Sequence, residues 1–262
     1  MKSNTRTIST QQVSRLYAAA QDRGRVAGYT HGFYRYPARF SPTFAAAAIE
    51  CYSDHGDLVV DPYMGGGTTV VEALALGRRV VGNDLNSLAA FIAKVKTTPL
   101  TRGETAAAMQ WAQDIVPALS YRASGRSLDK IMLSAKTKNL SIVRARFIKK
   151  AVAGAINSLD QLPSPNSQNF IRCALLRVGQ WALDGRATHT TVSAFRDRLQ
   201  QEICGMLDSL DCWTQAARSH GRISRVISNR DATDLPSLNI FCQRKERASL
   251  IVTSPPYPCI HI

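Results

Sequence analysis

The run from Leu58 to Thr69, LVVDPYMGGGTT, restricts the fold more than any other stretch of the chain. Leu58-Val59-Val60 is a short apolar run followed by an acid and a proline. That is the pattern of a strand buried on both faces of a parallel sheet. Three consecutive glycines follow, Gly65, Gly66 and Gly67. Thr68 to Leu76 then reads as a helix closed by Gly77, because glycine supplies the left-handed residue that ends many helices. Strand, glycine turn and helix together let a backbone approach a nucleotide-like ligand closely.

The flanking segments extend an α/β pattern. Arg79 to Asp84 predicts a second strand ending in an acid. Asp84 lies about twenty residues beyond the glycines, where nucleotide-binding folds place a carboxylate for ribose hydroxyls. Asn86 to Thr97 predicts a helix, with Leu88, Ala89, Ile92, Ala93 and Val95 on one apolar stripe. Upstream, Ser41 is a good N-cap and Pro42 a good first residue for a helix reaching Tyr52. The aromatic and arginine cluster before it, His31 to Phe40, has two readings: core plus surface, or the wall of a ligand site. Residues 1–30 are rich in Ser, Thr and Arg and predict a basic, partly flexible arm with a short helix near Val13 to Gln21.

The character changes over residues 100–221, which predict a helical insertion long enough for a small domain. Thr101 and Glu104 form a capping box before a helix over Ala106 to Leu119. Further helices are predicted over Lys138 to Leu159, Gln168 to Leu183 and Val192 to Ser219, with loops at 120–137 and 163–167. Lys130, Lys136, Lys138, Arg144, Arg146, Lys149 and Lys150 follow one another with almost no acid between. Such a run either tracks phosphates or is a solvated helix face. The net charge of +14 favours a polyanionic partner, most simply nucleic acid.

The α/β pattern returns over residues 222–262. Ile223 to Ser228 predicts a third strand, with Asp231 just past its end. Leu250-Ile251-Val252 predicts a fourth, running into Thr253-Ser254-Pro255-Pro256-Tyr257. Polar groups thus collect at the carboxyl ends of these strands, the edge where open parallel sheets bind ligands. Two adjacent prolines fix φ and carry no N–H, so their carbonyls face outward rigidly. With Ser254 as acceptor and Tyr257 as an aromatic plate, the segment suits a planar base bearing an exocyclic amine.

These motifs resemble those of the amino-group DNA methyltransferases. Asp61-Pro-Tyr-Met-Gly-Gly-Gly-Thr is similar to their cofactor loop, and Thr253-Ser-Pro-Pro-Tyr257 to their catalytic motif. The resemblance covers residues 31–97 and 223–258. It implies a Rossmann-like parallel sheet with residues 31–99 as its cofactor-binding first half. It also implies S-adenosylmethionine as cofactor, double-stranded DNA as partner, and transfer of methyl to cytosine N4 or adenine N6. Serine at the first catalytic position favours cytosine. Carried over by position, Asp61, Pro62, Gly65, Gly67 and Thr68 would shape the loop at the methionine end, and Phe40 and Pro42 would help cover it. Asp84 would take the ribose hydroxyls and Asp231 the adenine amine. Ser254, Pro255, Pro256 and Tyr257 would be catalytic. Lys136, Lys138, Arg144, Arg146, Lys149 and Lys150 are the candidates for contact with nucleic acid.

Other chemistries fit less well. The six cysteines and five histidines are dispersed, with no zinc-ligand spacing, so no metal is expected, and the thiols read as reduced in a cytoplasmic protein. There is no signal-peptide pattern and no apolar run of membrane-spanning length. Pro258-Cys259 supplies the dipeptide needed for C5-cytosine methylation, but the glycine loop and Ser254-Pro-Pro-Tyr257 belong to the amino class. An RNA base methyltransferase is a second alternative. A third follows from the family's sheet, which has strands beyond the catalytic motif: the sheet here would be incomplete after the fourth strand. The chain would then be a truncated or split enzyme, completed by a second polypeptide or binding DNA or cofactor without turnover.

Overall fold

The computed structural model describes residues 7–24, 26–37, 41–120, 145–183 and 190–255. In chain order the helices are α1 (Thr10–Gln21), α2 (Pro42–Tyr52), α3 (Thr68–Ala75), α4 (Ser87–Lys96) and α5 (Arg102–Ala118). They continue with α6 (Ala145–Asn157), α7 (Pro165–Leu183), α8 (Val192–Ser219) and the short α9 (Asn239–Cys242). The strands are β1 (Leu58–Asp61), β2 (Arg79–Asn83), β3 (Arg225–Ser228) and β4 (Leu250–Ile251). The chain divides into two compact units, one of Met1–Thr97 with Ser209–Ile262 and one of Thr98–Asp208.

The first unit is α/β, as expected for a Rossmann-like methyltransferase sheet. Its four strands are all parallel, in the order β3-β2-β1-β4. Every residue of β1 is buried, which explains its continuous apolar run. Leu58, Val60 and Val81 pack with Leu235 and Leu238 and with the half-buried Val226, Ile240 and Phe241. Of these, Leu235 lies in a 3₁₀ turn, Ala232–Ser237, and Leu238, Ile240 and Phe241 come from the residues that follow it. No sequence signal marked that segment as a cover for the sheet. The pairing of β3 with β2 begins at Arg225, opposite Val80, so the strand is shorter than the stretch from Ile223. The long helix α8 ends in this unit, where the fully buried Trp213 donates from Nε1 to the Val71 carbonyl of α3 at 3.1 Å.

The N-terminal helix starts earlier than the reading from Val13. Ser9 and Gln12 form a capping box that nucleates it at Thr10. It is fastened to α2 by Arg15–Glu50, by Thr43 donating to Asp22 at 2.8 Å and by Cys51 donating to the Gln12 carbonyl.

The second unit is helical among its described residues. The Thr101–Glu104 capping box is present. Trp111 donates to the Ser158 hydroxyl at 3.1 Å. The expected loop at 163–167 is instead half helix. Ser164 accepts from the Ser167 amide at 3.2 Å, and Pro165 occupies the first helical position, where its missing N–H costs nothing. Among the described residues no helix is long and apolar enough to cross a membrane.

Candidate functional site

The parallel order places the carboxyl ends of β3, β2, β1 and β4 side by side along one edge. Asp231, Asp84, the glycine loop and Ser254 follow these four ends in turn.

The glycine loop is held from several directions. Met64 donates to the Asn83 carbonyl at 2.8 Å, and Gly67 to the Met64 carbonyl at 2.8 Å. Gly65 donates from its amide to Asp84 Oδ2 at 2.8 Å. Lys96, 1% exposed, donates from Nζ to the Gly66 carbonyl at 2.6 Å. Gly65 and Gly67 have φ of +48° and +78°, a region that side chains with a Cβ adopt at a cost. A Cβ on Gly67 would lie 2.9 Å from the Ala93 Cβ, so α3 and α4 meet closely only because this residue is glycine. Cβ atoms on Gly65 and Gly66 would meet the Tyr36 side chain at 3.4 and 3.1 Å.

Three carboxylates have different settings. Asp61 is 3% exposed at the end of β1. Its Oδ1 accepts from the Tyr63 amide at 3.2 Å and from Thr253 Oγ1 at 2.8 Å. Burial pushes its carboxyl from 3.8 up to about 6, against the opposing pull of the Thr253 hydroxyl, the nearby Thr69 hydroxyl and the Tyr63 amide. Asp84 is half-buried, and its Oδ1 accepts from the Asn86 amide at 2.8 Å. A carboxylate offers about four acceptor positions, so capacity remains on Asp84 beyond the two amides. Asp231 is exposed and caps the 3₁₀ turn by accepting from the Thr233 amide and hydroxyl, which hold its carboxyl below the usual range.

The remaining predicted residues fall as follows. Pro62 accepts at its carbonyl from Asn83 Nδ2 at 3.2 Å, and Thr68 is buried at the start of α3. Pro42 opens α2 behind the N-cap Ser41. Ser254 is half-buried and Pro255 exposed beyond β4. Arg146 is exposed on α6, while Lys149 and Lys150 are half-buried there. Phe40, Pro256, Tyr257, Lys136, Lys138 and Arg144 lie outside the described residues, as does Cys259. Among the described residues no group of histidine, cysteine, aspartate and glutamate side chains could hold a metal.

Several residues at this edge were not singled out by sequence. Tyr36 is buried against the loop, and its phenol is raised by burial and then by the nearby Asp84. It sat unresolved within the aromatic cluster. Lys96 gave no useful signal, since a lysine in the last turn of a helix usually answers the helix dipole. Asn83 links two loops by donating to the Pro62 and Arg230 carbonyls. His31 and Glu72 form a buried pair at 2.6 Å that fastens the segment before Tyr36 to α3.

Residues 7–94 match the family described as DNA methylase. The chain is 40% identical over 74 residues to the Type II methyltransferase M.MvaI of Kocuria varians, covering 27% of this chain and 16% of that protein. It is 32% identical over 68 residues to the Type II methyltransferase M.MjaII of Methanocaldococcus jannaschii, covering 26% of this chain and 13% of that protein. The chain thus spans a minor part of the length of these relatives. No solved structure matches.

Proposed function

We propose that this chain, which through residues 7–94 belongs to the amino-group DNA methyltransferase family, binds S-adenosylmethionine at the carboxyl edge of its sheet and serves methyl transfer to an exocyclic amine of a DNA base. Cytosine N4 is favoured over adenine N6 by the serine at position 254. What supports the reading is the order β3-β2-β1-β4, which lines up Asp231, Asp84, the glycine loop and Ser254.

The residues at this edge suit the cofactor. Asp84 is fixed by two backbone amides and keeps acceptor capacity for ribose hydroxyls. Asp231 is an ionised, exposed acceptor suited to the adenine amine. Asp61, Pro62, Gly65, Gly67 and Thr68 would bound the methionine end, with Phe40 and Pro42 beside it. When bound, the cofactor supplies an electrophilic methyl group on a positive sulfur. The task left to the protein is orientation and exclusion of water. Ser254 and the carbonyls of Pro255 and Pro256 would accept from the base amine and so aim its lone pair, with Tyr257 stacking on the ring. In the second unit, Arg146, Lys149 and Lys150, with Lys136, Lys138 and Arg144, would take phosphates of the duplex.

Transfer of tritiated methyl to DNA tests the reading. Ser254→Ala should abolish it while cofactor still binds. Asp84→Ala should weaken cofactor binding by ~1–3 kcal/mol through lost charged hydrogen bonds. Hydrolysis of the labelled DNA to nucleosides identifies the base. Wild-type chain that binds cofactor and DNA but never transfers label would overturn the enzymatic reading in favour of a binding role.

A further inference from the structure

We propose that Thr253 is a positioning residue whose hydroxyl holds the acceptor segment in register with the glycine loop. The inference rests on the methyltransferase reading and adds a residue to its site.

The backbone ladder gives out just before this segment. β4 pairs with β1 only at Val59–Leu250 and Val60–Ile251. The Val252 amide then donates to the Val60 carbonyl at 3.1 Å. Beyond that bond two side chains carry the register onward. Thr253 Oγ1 donates to Asp61 Oδ1 at 2.8 Å. Thr69 Oγ1 donates to the Val252 carbonyl at 3.4 Å. Asp61 immediately precedes the glycine loop and Thr69 lies in the first turn of the helix that follows it. Both flanks of the loop therefore grip one dipeptide, Val252-Thr253, and Ser254 is the next residue.

The grip is built on rigid parts. Asp61 is 3% exposed and its Oδ1 is also fixed by the Tyr63 amide. Thr69 is fully buried. By contrast β4 is a two-residue edge strand whose Ile251 is 62% exposed. The buried Val252 anchors the chain just beyond β4, and from there these hydrogen bonds set the path to Ser254. A small misplacement of a reacting group is costly: about 1 Å can lower a rate on the order of 100-fold.

Thr253→Val keeps the β-branched shape and deletes the hydroxyl, while Thr253→Ser keeps the hydroxyl. Thr253→Val should lower kcat by roughly 10–100-fold with cofactor Kd within about 2-fold of wild type. Thr253→Ser should stay within about 3-fold of wild type on both. Equal kcat in Thr253→Val and wild type overturns the proposal, and so does equal loss in Thr253→Ser. Hydrogen exchange at the Val252 amide provides a readout independent of turnover. It should quicken about 10-fold in Thr253→Val and recover in Thr253→Ser, as expected for loss of one hydrogen bond to a carboxylate. Absent methyl transfer by wild type refutes the methyltransferase reading alone. Unchanged Val252 exchange refutes the role of Thr253 whatever the activity.

Discussion

The sheet edge of the first unit and the helices of the second are built by different physics. At the sheet edge, backbone conformation and close approach leave few residues permissible. Gly67 must adopt positive φ and must lack a Cβ against Ala93. In the second unit the fold depends on apolar packing along helices, where Trp111, Ile148, Phe170 and Leu199 are buried. Many apolar residues can fill such positions if volume and pattern are kept. The family match over residues 7–94 lies wholly in the first unit. A site held by steric necessity constrains its sequence, and a helical packing face constrains mainly a pattern.

Gly67→Ala attacks that contrast most directly. Left-handed strain and the 2.9 Å approach to the Ala93 Cβ act together. The expected loss of stability is ~2–4 kcal/mol, read from urea unfolding, and cofactor affinity should fall with it. If Gly67→Ala is neutral, the loop is more plastic than its contacts imply, and the distinction between the two regions weakens.

A pH experiment probes the same edge through Asp61. Its carboxyl is raised to about 6 in the folded protein from 3.8. Between these values the native state holds a proton that the unfolded chain has released, so stability falls as pH rises through this window and is level above it. The contribution is roughly 3 kcal/mol. Asp61→Asn should remove it, so the stability difference between wild type and variant should change by about that amount between pH 4 and 6.5. A constant difference across the window would mean that Asp61 is better solvated than its burial indicates.

Much of this edge was legible in the sequence, and the reasons are local. Ser41-Pro42 and Asn86 start helices where expected, and the Thr101–Glu104 box starts α5 at Arg102, ahead of the expected Ala106, because each cap bonds to residues next to it in the chain. The glycines announced a tight turn because few other residues can make one. What sequence missed depends on distant partners. Thr253 meets a carboxylate 192 residues earlier, and Lys96 reaches back 30 residues to a glycine carbonyl. Neither pairing has a spacing rule. The cover formed by Leu235, Leu238 and Phe241 escaped notice because a 3₁₀ turn has no long apolar period to read.

The second unit is testable by charge. Lys149→Ala with Lys150→Ala on α6 should leave cofactor affinity unchanged. DNA affinity should fall at low salt, and the slope of log affinity against log salt should drop by roughly 1–2. An unchanged slope would assign these lysines to a solvated face, and the basic run would then have no part in DNA binding.

The smallest expected effect comes from one glycine of the second unit and completes the contrast. Gly154 lies inside α6 with ordinary helical φ. Among the described residues a Cβ there would meet only Leu119 Cδ2, at 3.8 Å, an ordinary van der Waals distance. Nothing among the described residues around it requires glycine, so it carries only the entropic penalty of a glycine within a helix. Gly154→Ala should therefore stabilise the protein by about 0.5–1 kcal/mol, the opposite sign to Gly67→Ala. Thermal unfolding of the two variants side by side checks the pair. Destabilisation by Gly154→Ala would mean that a close approach also governs this helix, and that the second unit is as sterically committed as the sheet edge.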